Sequence, residues 1–208
     1  DRRSADDEPY AALVAMSLGR YLEHAAQLPD AAGAAAAYSE AAESFFRASF
    51  DDLQHGCTDP PEILRLHARD ATTRAAAAFD RVQNRALQSD VLLRAAVWLQ
   101  QLEEFDEAAF FAEQSAAVEK QAARDVYLAL SVAAHCFALG RNFGETERVL
   151  EAMRKVARGA IAEDSIWSGF VFTAACGAGV GWQSTWSEAA LFDSTLAVFL
   201  VALVTGRN

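Results

Sequence analysis

Residues 102–120 read LEEFDEAAFFAEQSAAVEK, a tight turn followed by the second helix of a helical hairpin. The acids sit where a helix begins, and the apolar residues that follow keep helical spacing. The architecture depends on whether this is a lone hairpin or one copy of something repeated. Its leading tetrad, Phe105-Asp106-Glu107-Ala108, is an apolar residue, a spacer, an acid and a small residue. The same shape occurs at Leu28-Pro29-Asp30-Ala31, Phe143-Gly144-Glu145-Thr146 and Trp186-Ser187-Glu188-Ala189. Twelve residues before each small residue stands another: Gly19, Ala96, Ala134 and Gly177. Leu18, Ala95, Ala133 and Cys176 precede these, and Leu22, Leu99, Phe137 and Val180 follow three residues on.

Such offsets have a packing reason. Small residues on two neighbouring helices let the backbones approach, and the large residue beside them fills the groove. An acid in the first turn of the second helix meets the positive end of its dipole. The pattern resembles the tetratricopeptide repeat, although Leu28, Phe105, Phe143 and Trp186 lie 77, 38 and 43 residues apart and the usual period is about 34. The first gap is near two periods, which implies a copy lost or distorted around residues 62–87. The closing proline of that family is missing from all four copies. The best copies are residues 91–123 and 125–158. Another α-solenoid and a compact helical bundle remain the alternatives.

Composition points the same way. Hydrophobic residues make up 52% of the 208, and alanine dominates them. Alanine is the best helix former and a poor core filler, so closely packed helices are expected. Only four prolines occur, and no alternating β-branched runs. The expected fold is all-α, with antiparallel helix pairs stacked as a tetratricopeptide-like solenoid of about nine helices. Residues 1–9 form a disordered lead-in and residues 10–208 a single helical-repeat domain. Breakers and caps place the helices at 10–27, 31–53, 62–87, 91–103, 106–123, 125–139, 145–158, 165–180 and 184–204.

The formal net charge of −11 argues against direct nucleic-acid binding, which needs a basic face, and against anionic lipid. Lysine appears only at Lys120 and Lys155. An acidic, lysine-poor surface fits either adaptation to high salt or a GC-rich coding bias. Three widely spaced cysteines, Cys57, Cys136 and Cys176, make no disulfide framework, which points to a reducing compartment and a cytoplasmic location. The most apolar run, TLAVFLVALV, opens at Thr195 and closes at Val204. It is about half of what a membrane span requires, so it is read as a terminal helix that is buried or pairs with a second copy.

Chemical motifs are sparse. FDDLQ at residues 50–54 lacks the further acids that a diphosphate–magnesium helix needs. His24, His55, His67 and His135 form no Glu-x-x-His or His-Glu-x-x-His pattern. His135 and Cys136 are adjacent on a helix and so point about 100° apart, which rules out a nucleophile–base pair. CGAGVG at residues 176–181 sits in a helical pattern without the lysine of a phosphate loop. The aromatic pairs Phe45-Phe46 and Phe110-Phe111 should each turn one ring to a neighbour or to solvent. No enzyme activity, metal or cofactor is expected.

The tetratricopeptide resemblance implies a protein–protein interaction or scaffold module that binds a peptide or helix in a concave groove. Groove-facing positions carry over by offset to Leu93, Val97, Gln100 and Gln101 around Ala96, and to Leu128, Ser131 and His135 around Ala134. The family's carboxylate-gripping members use lysine, asparagine and arginine there. This chain lacks that set, so a more apolar ligand is expected. A homo-oligomeric structural protein and an all-α enzyme or small-ligand bundle are the competing readings.

Overall fold

A computed structural model describes residues 7–25, 30–55, 61–119 and 121–160. The described residues are all-helical, with seven helices and no strand among them. In chain order these are α1 (Asp7–His24), α2 (Ala31–His55), α3 (Pro61–Arg81), α4 (Arg85–Gln101), α5 (Phe105–Ala116), α6 (Ala123–Leu139) and α7 (Phe143–Ala160). The helices expected at 165–180 and 184–204, the CGAGVG run and the apolar run from Thr195 lie outside the described residues. The helices fall into two compact units that divide between Glu104 and Phe105. That division cuts the expected copy 91–123 in two.

In the first unit α1 packs on α2, α2 on α3 and α3 on α4, with a narrower contact between α2 and α4. Asp30 starts α2 as expected from the Pro-Asp pair: its Oδ1 accepts the Gly33 N–H at 2.8 Å. Helix α2 is the centre of this unit. Tyr38, Phe45 and Phe46 are fully buried on it, because α1, α3 and α4 together leave no outward face at those positions. The sequence reading has one ring of the Phe45-Phe46 pair turned to a neighbour or to solvent, and Phe45 stacks on His67 of the neighbouring α3, centroids 5.3 Å apart. Small residues carry the closest approach: Gly19 of α1 is buried directly against the Tyr38 ring.

Helix α3 ends six residues earlier than its periodicity suggests. The chain reverses at Val82-Gln83-Asn84 with Gln83 at φ 56°, and the Asn84 side chain accepts the Leu87 N–H at 3.2 Å to cap α4. The cap is therefore Asn84, and α4 starts at Arg85 rather than at the expected 91. Helix α1 begins at Asp7, inside the expected lead-in.

The second unit packs α5 on α6 and α6 on α7. Its core is small-residue rich: Ala108, Ala109, Ala112, Ala129, Ala133 and Ala134 are fully buried. Acids occupy the first turns of α5 and α7 as the dipole favours. Phe111 is buried while Phe110 stays exposed, as the sequence predicted for that pair. Arg148 of α7 ties back to Glu113 of α5 at 2.8 Å and to Glu145 on its own helix. Helix α5 stops at Ala116 rather than 123. The Gln121 amide donates to the last-turn carbonyl of Ser115 and, beyond the helix end, to Val118 O at 3.1 Å.

Three turns are built alike. Gln83, Glu103 and Arg141 each adopt a left-handed conformation, at φ 56°, 62° and 60°. In each turn the next residue's N–H reaches back five positions: Asn84 to Phe79, Glu104 to Leu99 and Asn142 to Phe137, at 2.8 to 2.9 Å. This is the Schellman arrangement with a non-glycine residue at its left-handed position. The second and third turns lie 38 residues apart and each leads into a phenylalanine, Phe105 or Phe143, the spacing read from the sequence.

Candidate functional site

A cleft of about 360 Å³ lies in the first unit between α2, α3 and α4. Helices α2 and α4 flank α3, and the alanines where they meet it are too small to fill the space. Ala42 and Ala95 form part of that surface and are buried. Larger apolar groups line the rest, chiefly Phe46, Phe79, Val91 and Trp98. Thr72 is the polar residue of the floor, but its hydroxyl donates to Ala68 O at 2.8 Å within its own helix. The floor therefore presents an apolar surface.

The rim is charged and mostly acidic. Helix α2 contributes Glu40 and Glu43, and α4 contributes Asp90 and Arg94. Arg94 pairs with Asp90 one turn away at 2.7 Å and leans across the cleft toward Glu43 at 3.8 Å. Glu43 is also held by Arg47 at 3.1 Å. Arg94 is 64% exposed at its side chain, so these rim pairs are weak and open to exchange. Three acids against one arginine make the rim favourable for a cationic group on a ligand. Ser39 and Leu87 complete the mouth.

Two polar networks brace the helices behind the cleft. The Tyr38 hydroxyl donates to Glu23 Oε2 at 2.7 Å, and Arg81 pairs with the other oxygen of the same carboxylate. Those hydrogen bonds hold the Glu23 carboxyl below its ordinary pKa, Tyr38 first and Arg81 second. Burial, with the carboxylate beside it, pushes the Tyr38 phenol up. Arg74 lies 6.0 Å over the Tyr38 ring and donates to both oxygens of Asp70 at 3.0 Å. At the far end of α3, Arg65 and Arg69 both reach Glu104. These contacts fix α1, α2, α3 and the end of α4 relative to one another.

The residues singled out from the sequence do not line this cleft. On α4, Leu93 and Gln100 are half-buried and Val97 and Gln101 exposed. They occupy a face about a quarter-turn from the cleft-lining set Leu87, Val91, Arg94 and Trp98. On α6, Leu128 is exposed. Ser131 is buried, its hydroxyl donating to Leu128 O at 2.7 Å. His135 is half-buried, and burial lowers its pKa. The α4 set belongs to the first unit and the α6 set to the second. Cys136 is fully buried, and burial pushes its thiol up to about 12, as fits a core residue. The sequence did carry one trace of the cleft, the Asp90–Arg94 and Glu43–Arg47 pairs at helical i,i+4 spacing. That spacing alone reads as an ordinary solvated face.

Among the described residues no three His, Cys, Asp or Glu side chains are grouped to hold a metal, and no helix is long and apolar enough to cross a membrane. Comparison with protein-family models and with curated proteins finds no match.

Proposed function

We propose that the chain is a helical-repeat interaction module whose cleft between α2, α3 and α4 receives apolar side chains of a partner peptide or helix flanked by basic residues. One observation carries this reading: an apolar-floored cleft of about 360 Å³ with three acids and one exposed, ion-paired arginine at its rim. The volume suits two or three side chains of an amphipathic segment. Arg94 can exchange Asp90 and Glu43 for ligand groups, which leaves Asp90 and the Glu43 oxygen not held by Arg47 to meet an incoming lysine or arginine.

The tetratricopeptide-like reading of the repeat is supported by the matching turns at Glu103 and Arg141. It is supported also by the burial of Gly19, Ala96 and Ala134 where the offsets place small residues. Apart from Thr72, whose hydroxyl donates within its own helix, the polar groups of the cleft stand at its rim, which favours docking over an enclosed reaction site.

The test is selection of displayed random peptides on the intact protein, with counter-binding to Ser39→Trp, which plugs the half-buried mouth. Far-UV circular dichroism verifies that the variant keeps its helices. The reading predicts enriched peptides with apolar residues at helical spacing and lysine or arginine beside them, bound at least tenfold more weakly by the variant. Peptides that bind both proteins equally, or no enrichment, would contradict it.

A further inference from the structure

The outward face of α1 is built the wrong way round for a helix that ends a helical unit. Its inward face is Ala12, Ala15, Met16 and Gly19, all buried. Its outward face carries Tyr10, Leu13, Val14, Leu18 and Tyr21, between 49 and 73% exposed, with Ser17 among them. Single exposed apolar residues need no explanation, but a stripe running three turns along one helix does.

We infer that this stripe is the interface of a homodimer in which two copies of α1 pair antiparallel about a two-fold axis. The inference stands apart from the cleft. Its basis is the symmetry of the stripe. A two-fold interface needs a patch complementary to itself. About the midpoint between Ala15 and Met16, Tyr10 mirrors Tyr21, Leu13 mirrors Leu18 and Val14 mirrors Ser17. An axis at that point sets tyrosine against tyrosine at both ends and leucine against leucine inside them. The smaller Val14 and Ser17 meet at the centre, where the helices come closest. Tyrosine suits such an edge, since its ring is covered while its hydroxyl reaches water. Two stripes together bury on the order of 1,000 Å², at the low end for a specific complex, so the dimer dissociates on dilution.

The experiment is sedimentation velocity of the full chain from low micromolar to several hundred micromolar, alongside Leu13→Glu/Leu18→Glu. Both positions are exposed, and circular dichroism checks that the variant folds as the parent does. The intact chain should shift from one to two chain masses with concentration, and the variant should stay at one. Register is read separately in a Cys57→Ser/Cys176→Ser background. Mixing Val14→Cys with Ser17→Cys under mild oxidant should give a mixed disulfide several-fold above either homodisulfide. A chain that stays monomeric at every concentration, because some other segment or protein covers the stripe, overturns the inference. So does a dimer that survives the double substitution, or disulfides that form as readily within each variant alone.

Discussion

Gly19→Ala places one methyl group against the most tightly held ring in the first unit. In an unobstructed helix this change stabilises by about 0.5–1 kcal/mol, because alanine has less backbone entropy to lose. Here the new Cβ would stand 2.6 Å from Tyr38 Cε1, 2.7 Å from Cδ1 and 3.0 Å from Cζ. Carbon atoms prefer about 3.5–4.0 Å, so the ring must retreat by about 1 Å. Tyr38 is fully buried, with its hydroxyl bonded to the Glu23 carboxylate at 2.7 Å. Overpacking of this kind costs about 1–3 kcal/mol. A stretched hydrogen bond to a charged group forfeits part of a further ~1.5–3 kcal/mol. The net expectation is a loss of about 2 kcal/mol. Urea unfolding followed by far-UV circular dichroism should show a lower midpoint at an unchanged slope. Gly144→Ala is the control, since nothing lies within 4 Å of its added Cβ. It should be neutral or gain up to about 0.5 kcal/mol. If Gly19→Ala proves as stable as the parent, the close approach of α1 to Tyr38 is wrong.

Other perturbations test separate parts of the account. Gln83→Gly and Arg141→Gly relieve left-handed backbone at exposed turn positions, one in each unit, and each should raise stability by about 0.5 kcal/mol in a thermal melt. Glu23 has its folded-state pKa depressed below 4.5 by Tyr38 and Arg81, so its stabilising contribution is complete above pH 4.5. That contribution is lost as the pH falls from there through the depressed value. Glu23→Gln should therefore be less stable than the parent near neutrality, and the gap should narrow on acidification in a pH series of urea titrations. Cys136, fully buried with its thiol raised to about 12, should resist alkylation at pH 8 until the second unit opens. Mass mapping of the labelled peptides separates it from the other two cysteines.

The helical class was legible because alanine content, scarce proline and 3.6-residue spacing all agree. The start of α2 after Pro29-Asp30 and the turn near Gly140 were legible because they use a proline, a capping acid and glycine. The break at Val82-Gln83-Asn84 was not, because it uses no glycine or proline. A left-handed glutamine makes it, at a cost offset by the Asn84-to-Phe79 backbone bond, the Asn84 cap and the packing of α3 on α4. The end of α5 was hidden likewise, since residues 117–121 read as good helix and only the Gln121 amide marks the stop. The candidate site was less legible still. It depends on alanines that fail to fill a space between three helices, and on Glu43 and Arg94 meeting from segments 51 residues apart. Offsets borrowed from the repeat resemblance placed Leu93 and Val97 beside the cleft-lining face and not on it. The outward stripe of α1 was not read from the sequence at all. The small residues that pack inward on that helix leave its large ones outside.

The cleft claim is tested most directly by photo-crosslinking from two positions of matched exposure on α4. Leu87, 43% exposed, lies at the mouth of the cleft, whereas Val97, 41% exposed, lies on the face first expected from the sequence. A benzophenone side chain at each position, irradiated with a selected basic amphipathic peptide and mapped by mass spectrometry, compares the two faces at equal accessibility. The account predicts strong capture from position 87 and background capture from position 97. Capture from 97 alone, or equal capture from both, would contradict it.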